Sequence, residues 1–148
     1  MVITSAMVLR ALREVPLPES VLVVQPPGGR TLVNFETNFY TEAEEFTRTV
    51  RLAGQRVDLR IRPSGFGWHF GDGASLSTTS AGSPFPDLEV THSYRRRGAV
   101  GARVDTTYSA DFRVNGGPWQ AVEGTVTMAG QSVGLQVLTA SPTLVGYR

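Results

Sequence analysis

The sequence contains no cysteine, so disulfides, zinc–thiolate sites and cysteine nucleophiles are excluded. That absence does not assign a compartment, because a chain of 148 residues can bury enough core to fold without covalent staples. Lysine is also missing. All 14 basic residues are arginine, a usage that fits the codon bias of a GC-rich genome better than any physical need. Long apolar runs are lacking too. Val21-Leu22-Val23-Val24 is typical of the chain, and nothing approaches the roughly 20 apolar residues that cross a bilayer, so no membrane insertion is expected. Neither charge sign dominates. The net charge is +1, and without a basic excess nucleic acid is not an expected partner. The opening residues, Met1-Val2-Ile3-Thr4-Ser5, have neither the basic head nor the apolar run of a secretory signal.

What is present is a globular composition, 41% hydrophobic and 18% charged, which sets it apart from a disordered chain. One good helix candidate stands at the start. Thr4 or Ser5 can cap it, and Met7, Val8, Ala11 and Leu12 recur at helical spacing through Arg13. Pro16 and Pro18 then stop it. Residues 1–18 therefore read as an N-terminal helix of about three turns with its linker, and residues 19–148 as a β-domain.

Beyond Pro18 the chain reads as short strands separated by turns. Val21 to Gln25 is closed by Pro26-Pro27-Gly28-Gly29. Thr31 to Tyr40 alternates, with Val33, Phe35 and Phe39 on one face and Asn34, Glu36 and Asn38 on the other. Thr47 to Leu52 follows, then Arg56 to Arg62, where Val57, Leu59 and Ile61 alternate with polar residues. Val104 to Val114 gives the strongest period-two pattern and closes on Asn115-Gly116-Gly117, a tight-hairpin sequence. Its partner runs from Trp119 to Met128, with the adjacent apolar Ala121 and Val122 marking a bulge. Val133 to Leu138 is last, and Gly73 to Pro86 is the one long loop. Strand starts about 10 to 15 residues apart predict an antiparallel sandwich of at least seven strands rather than βαβ units.

Two motifs sharpen this reading. One is Gly67-Trp68-His69-Phe70-Gly71-Asp72-Gly73. The other is Val90-Thr91-His92-Ser93-Tyr94, followed by Gly98. Trp68 and Phe70 lie two apart on a strand, so both can enter the core. Gly71, Asp72 and Gly73 suit a chain reversal. Leu88, Val90, His92 and Tyr94 alternate on one face, which predicts a half-buried His92 bonded to backbone. Together the motifs resemble the signature of the polycystic kidney disease (PKD) family, over a span from Val57 to Met128. The flanks resemble the extended PKD-containing domain of secreted actinobacterial proteins of unassigned activity. The resemblance implies an all-β, immunoglobulin-like (PKD-type) antiparallel β-sandwich with a short N-terminal helix. It implies structural roles for Trp68, Phe70, Gly71, Asp72, Gly73, His92 and Tyr94, with Tyr94 similar to the tyrosine that pins a sandwich corner through its hydroxyl. It also implies an extracellular or cell-envelope location, and a larger multidomain parent chain is compatible with it. Four features depart from the family pattern: His69 stands where Asp is frequent, the segment between motifs is long, Arg95-Arg96-Arg97 delays the following glycine, and extra residues precede Tyr108 and Phe112 on the long strand.

Catalytic constellations are sparse. His69 and His92 are the only histidines; a metal or acid–base role competes with structural roles in their motifs, and spacing suggests no third ligand. Asp72 between glycines suits a turn better than calcium, for which Asp87 and Glu89 are distant ligands. Glu42, Glu44 and Glu45 read as a solvated turn rather than a glycosidase pair. No serine sits in a Gly-x-Ser-x-Gly elbow, and Gly65-Phe66-Gly67 leads into a strand rather than a phosphate-binding helix. No enzyme, metal or cofactor is expected. Candidate binding residues are Arg95, Arg96 and Arg97, with Arg103 nearby, and the aromatics Phe85, Trp119 and Tyr147. The expectation is a non-catalytic interaction module for protein or glycan. The alternative is a passive structural spacer or assembly subunit.

Overall fold

Two strands far longer than their neighbours organise the chain. In a computed structural model, which describes residues 2–140, strands make up 47% and helix 6%. Helix α1 (Ser5–Leu12) precedes β1 (Val23–Gln25), β2 (Arg30–Leu32), β3 (Thr37–Tyr40), β4 (Phe46–Leu52) and β5 (Gln55–His69). Then come β6 (Ser75–Thr78), β7 (Thr91–His92), β8 (Gly98–Val114), β9 (Gln120–Ala121), β10 (Val126–Met128) and β11 (Val133–Leu138). β5 and β8 pair antiparallel from Val57 opposite Val114 to His69 opposite Arg103. The far edge of β5 carries β4 and then β6; the far edge of β8 carries β11, β10 and β9. β2 joins β11 in parallel, an exception to the all-antiparallel expectation. β1, β3 and β7 form a separate three-stranded sheet, and the sheets make a sandwich-like arrangement.

The alternation of β5 and β8 explains the pairing. Val57, Leu59 and Ile61 on β5 and Val104, Tyr108, Ala110 and Phe112 on β8 are buried on one face. The other face carries charges that pair across strands, such as Arg113 with Asp58 at 2.8 Å and Arg62 with Asp111 at 3.0 Å. Exposed pairs of this kind add little stability. The layer over the buried face differs at its two ends. At one end α1 covers Val57, Leu59, Ile61 and Phe112 with Val8 and Leu12, both 0% exposed. At the other end the small sheet covers Trp68, Phe70 and Val104 with Phe39, Val90 and Tyr94. The helix is thus part of the core, and each such aliphatic side chain contributes about 1.5–3 kcal/mol by its burial.

Several boundaries differ from the sequence reading. α1 has 8 residues, short of three turns; Thr4 caps it, its Oγ1 accepting the Met7 N–H at 3.3 Å, and Arg13 already caps its end. The predicted strand Thr31 to Tyr40 is two strands in different sheets. Asn34 turns the chain with φ 60°, and Phe35 is exposed rather than sharing a face with buried Phe39. Leu88 is likewise exposed, outside the face of Val90 and Tyr94, because regular pairing there covers only Thr91–His92. The partner strand Trp119 to Met128 breaks into β9 and β10, with Val122 turned into the core between them. The predicted loop Gly73 to Pro86 contains β6, which pairs Leu76 with Trp68. Among the described residues, no helix is long and apolar enough to cross a membrane.

Candidate functional site

The two motifs meet in space at the end of β5. Trp68 and Phe70 point inward and are buried, and the Trp68 indole N–H donates to Thr78 Oγ1 at 2.8 Å. At Gly71 the chain turns with φ +90°, so close to β8 that an added Cβ would lie 2.5 Å from the Gly101 carbonyl oxygen. Asp72 Oδ1 then accepts the Ala74 N–H at 3.0 Å, closing the turn. Its other oxygen, Oδ2, lies 2.7 Å from His92 Nε2. The ring partner of His92 is therefore this carboxylate, not the backbone group expected from sequence. A short carboxylate on the turn reaches the ring where β7 runs past it.

His92 is fixed on three sides. Its ring stacks on Phe70 at 4.2 Å with 4° between planes, and Tyr94 meets it edge-on at 4.8 Å. The Tyr94 hydroxyl donates to the Phe70 carbonyl at 2.7 Å, and Phe39 packs on the Phe70 ring at 5.0 Å. Burial pushes the Asp72 carboxyl upward, but bonding to His92, the Ala74 N–H and the charge on His92 outweigh it and hold the group below its ordinary value. Burial, aided by the Asp72 charge, pushes the Tyr94 phenol up, so it stays a hydrogen-bond donor.

His69 lies apart from this pair. It sits 3.1 Å from Asp105, so the two histidines pair with different aspartates. Glu89 is bound by Ser80 and Ser83 rather than turned toward Asp72. Among the described residues no group of three or more His, Asp or Glu side chains is arranged to hold a metal ion. Glu42, Glu44 and Glu45 are exposed before β4, with Glu45 3.6 Å from Arg60.

Arg95, Arg96 and Arg97 follow Tyr94 directly and are exposed. Among the described residues none of them makes an ion pair. Of the three acids nearest in sequence, Asp105 is engaged by Arg103 and His69 and Glu89 by two serines, while Asp87 makes no ion pair among the described residues. The three arginines line a groove of about 780 Å³ together with Asp72, His92 and Tyr94. Its one carboxylate, Asp72, is already held by His92 and the Ala74 N–H. The groove is thus cationic, with its wall braced by the packed aromatic residues behind it.

No family model, curated protein or solved structure matches the chain. Function is read from its own surface.

Trp119 is not a free platform. It is half-buried on the outer face of the large sheet, with Arg60 4.2 Å and Arg113 4.6 Å from its ring centre. Those guanidiniums also hold Asp111 and Asp58. Phe85 is exposed, and Tyr147 lies outside the described residues. Sequence reasoning missed a cavity lined by Phe35, Glu36 and Asn38 together with Phe85. Its sequence signals were the clustered prolines Pro26-Pro27 and Pro84-Phe85-Pro86, which set loops rather than strands.

Proposed function

We propose that the chain is a non-catalytic binding module of immunoglobulin-like, PKD type that docks an anionic glycan of the cell envelope through Arg95, Arg96 and Arg97. The observation that carries this reading is three adjacent, exposed arginines with no ion-pair partner among the described residues, set on a groove whose own carboxylate is occupied. Unpaired guanidiniums offer planar, bidentate donors for carboxylates or sulfates. The braced wall behind them keeps the loop base from rearranging on binding, which limits the ordering cost. The PKD assignment rests on Trp68, Phe70, Gly71, Asp72 and Gly73 with His92 and Tyr94, and location outside the cell or at its envelope follows from that resemblance. A spacer or assembly role through sheet edges is less favoured, because edge strand β4 carries Arg48 and Arg51, charges that discourage edge pairing. The test is binding of an acidic polysaccharide at low salt, before and after Arg95, Arg96 and Arg97 are all replaced by Ser.

A further inference from the structure

The first residue of β2 is a further arginine. Arg30 is exposed and makes no ion pair among the described residues. Parallel pairing sets it opposite Gln136 on β11, and antiparallel pairing sets Gln136 opposite Ala99 on β8. Residues opposite each other across a ladder share a face of the sheet. The row Ala99, Gln136, Arg30 is exposed, whereas Val137 and Thr31, one position on, are buried. The Gln136 N–H donates to the Gly29 carbonyl at 2.8 Å, which holds the start of β2 in this register. Two strand spacings put the Arg30 backbone about 10 Å from that of Ala99.

Ala99 lines the groove of Arg95, Arg96 and Arg97. A second cavity of about 570 Å³ adjoins that groove. Arg97 and Gly98 line both, and Gln136, Leu138 and Thr139 line the second. Gly98 has open space where a Cβ would stand, so no side chain at this shared residue divides the two. No carboxylate lines the second cavity. The surface thus leads from three arginines, past an amide and a hydroxyl, to a fourth arginine.

We infer that the anionic-glycan site is a track for a linear chain, in which one acidic sugar binds Arg95, Arg96 and Arg97 and a later one binds Arg30. Gln136 and Thr139 meet the hydroxyl groups between them. This inference rests on the groove proposed above and adds Arg30 to it. A second contact on the same chain is intramolecular, so it raises affinity only for oligomers long enough to reach it. The lining favours a glycan over single-stranded nucleic acid, whose bases need open aromatic rings to stack on. The rings on the track are Tyr94, which is 1% exposed, and His92, which is already stacked on Phe70.

Calorimetric titration of the full chain at low salt, with digalacturonate and with decagalacturonate, tests this. Both probes are linear and carry one carboxylate per sugar. The wild type should bind the decamer about tenfold or more tightly than the dimer. A long chain also offers more starting positions, so the variants decide. In Arg30→Ser the ratio of the two affinities should fall about fivefold or more. Gln136→Ala should lower it in the same direction. Both positions are exposed, and both variants should melt with the wild type. Ser at positions 95, 96 and 97 should abolish binding of both oligomers. A wild-type ratio kept by either single variant would overturn the track while leaving the groove standing. Failure of the wild type to bind either oligomer would overturn track and groove together. Tighter binding of a single-stranded oligothymidylate than of decagalacturonate would overturn the glycan assignment.

Discussion

Asp72 and His92 lie 2.7 Å apart although 20 positions separate them in the chain. Their contact ties the turn after β5 to β7, and so joins the two sheets at the end that carries the arginine groove.

Acid should weaken the fold through this contact and others like it. Asp72 is held below its ordinary value, as is Asp105, where burial is outweighed by the Gly130 N–H, Arg103 and His69. Asp58 is lowered by bonds from Arg113 and Thr49, and Glu89 by bonds from Ser83 and Ser80. With depressed folded-state values, the unfolded chain binds more protons as pH falls past its carboxylate range of about 4. Their stabilisation is present above that range and is lost below it, as pH passes through the folded values. Melting temperature should be flat above about pH 5 and should fall on further acidification, less steeply for Asp72→Asn. A melting temperature that rises between pH 5 and pH 3 would contradict this.

Trp68→Ala should cost about 3–5 kcal/mol, since the ring is 1% exposed and lies within the core. Tyr94→Phe keeps the ring and removes the bond to the Phe70 carbonyl, for a smaller loss of about 1–3 kcal/mol. Urea titrations of both variants measure these values. A Trp68→Ala loss below about 1 kcal/mol would place that side chain outside the core.

Gly71 and Gly73 flank Asp72 with similar φ, +90° and +93°, but they differ in surroundings. A Cβ at Gly71 would strike the Gly101 backbone, whereas one at Gly73 meets nothing within 4 Å. Gly73→Ala should therefore cost about 1–2 kcal/mol from its φ alone, and Gly71→Ala clearly more. Equal losses in denaturant melts would show that the close approach to β8 is not rigid.

The all-β class was legible because period-two burial is local. Val57, Leu59 and Ile61, and the run from Val104 to Phe112, announce their strands without help from the rest of the chain. The length of β5 was not legible. The strand read from sequence stops at Arg62, before Pro63-Ser64-Gly65, yet the register shifts between Pro63 and Gly65 and the strand continues to His69. A bulge absorbs the proline's missing N–H, and Ser64 Oγ bonds to Ser109 Oγ at 2.6 Å. The opposite error occurred at Thr31 to Tyr40, where the alternation from Val33 to Phe39 hides a crossing between sheets at Asn34. Of the sites, the arginine triplet was visible as a charge run, but its lack of ion pairs depends on where the fold places Asp87, Glu89 and Asp105. The Asn38 cavity was invisible, because its floor and walls come from three separated segments.

Binding of an acidic polysaccharide by the full chain, measured at low and high salt, tests the central claim most directly. The wild type should bind at low salt and lose affinity as salt rises. The variant with Ser at positions 95, 96 and 97 should melt at nearly the same temperature, since those arginines make no ion pair among the described residues, and should not bind. Equal binding by both proteins, or none by either, would contradict the assignment of this groove as the functional site.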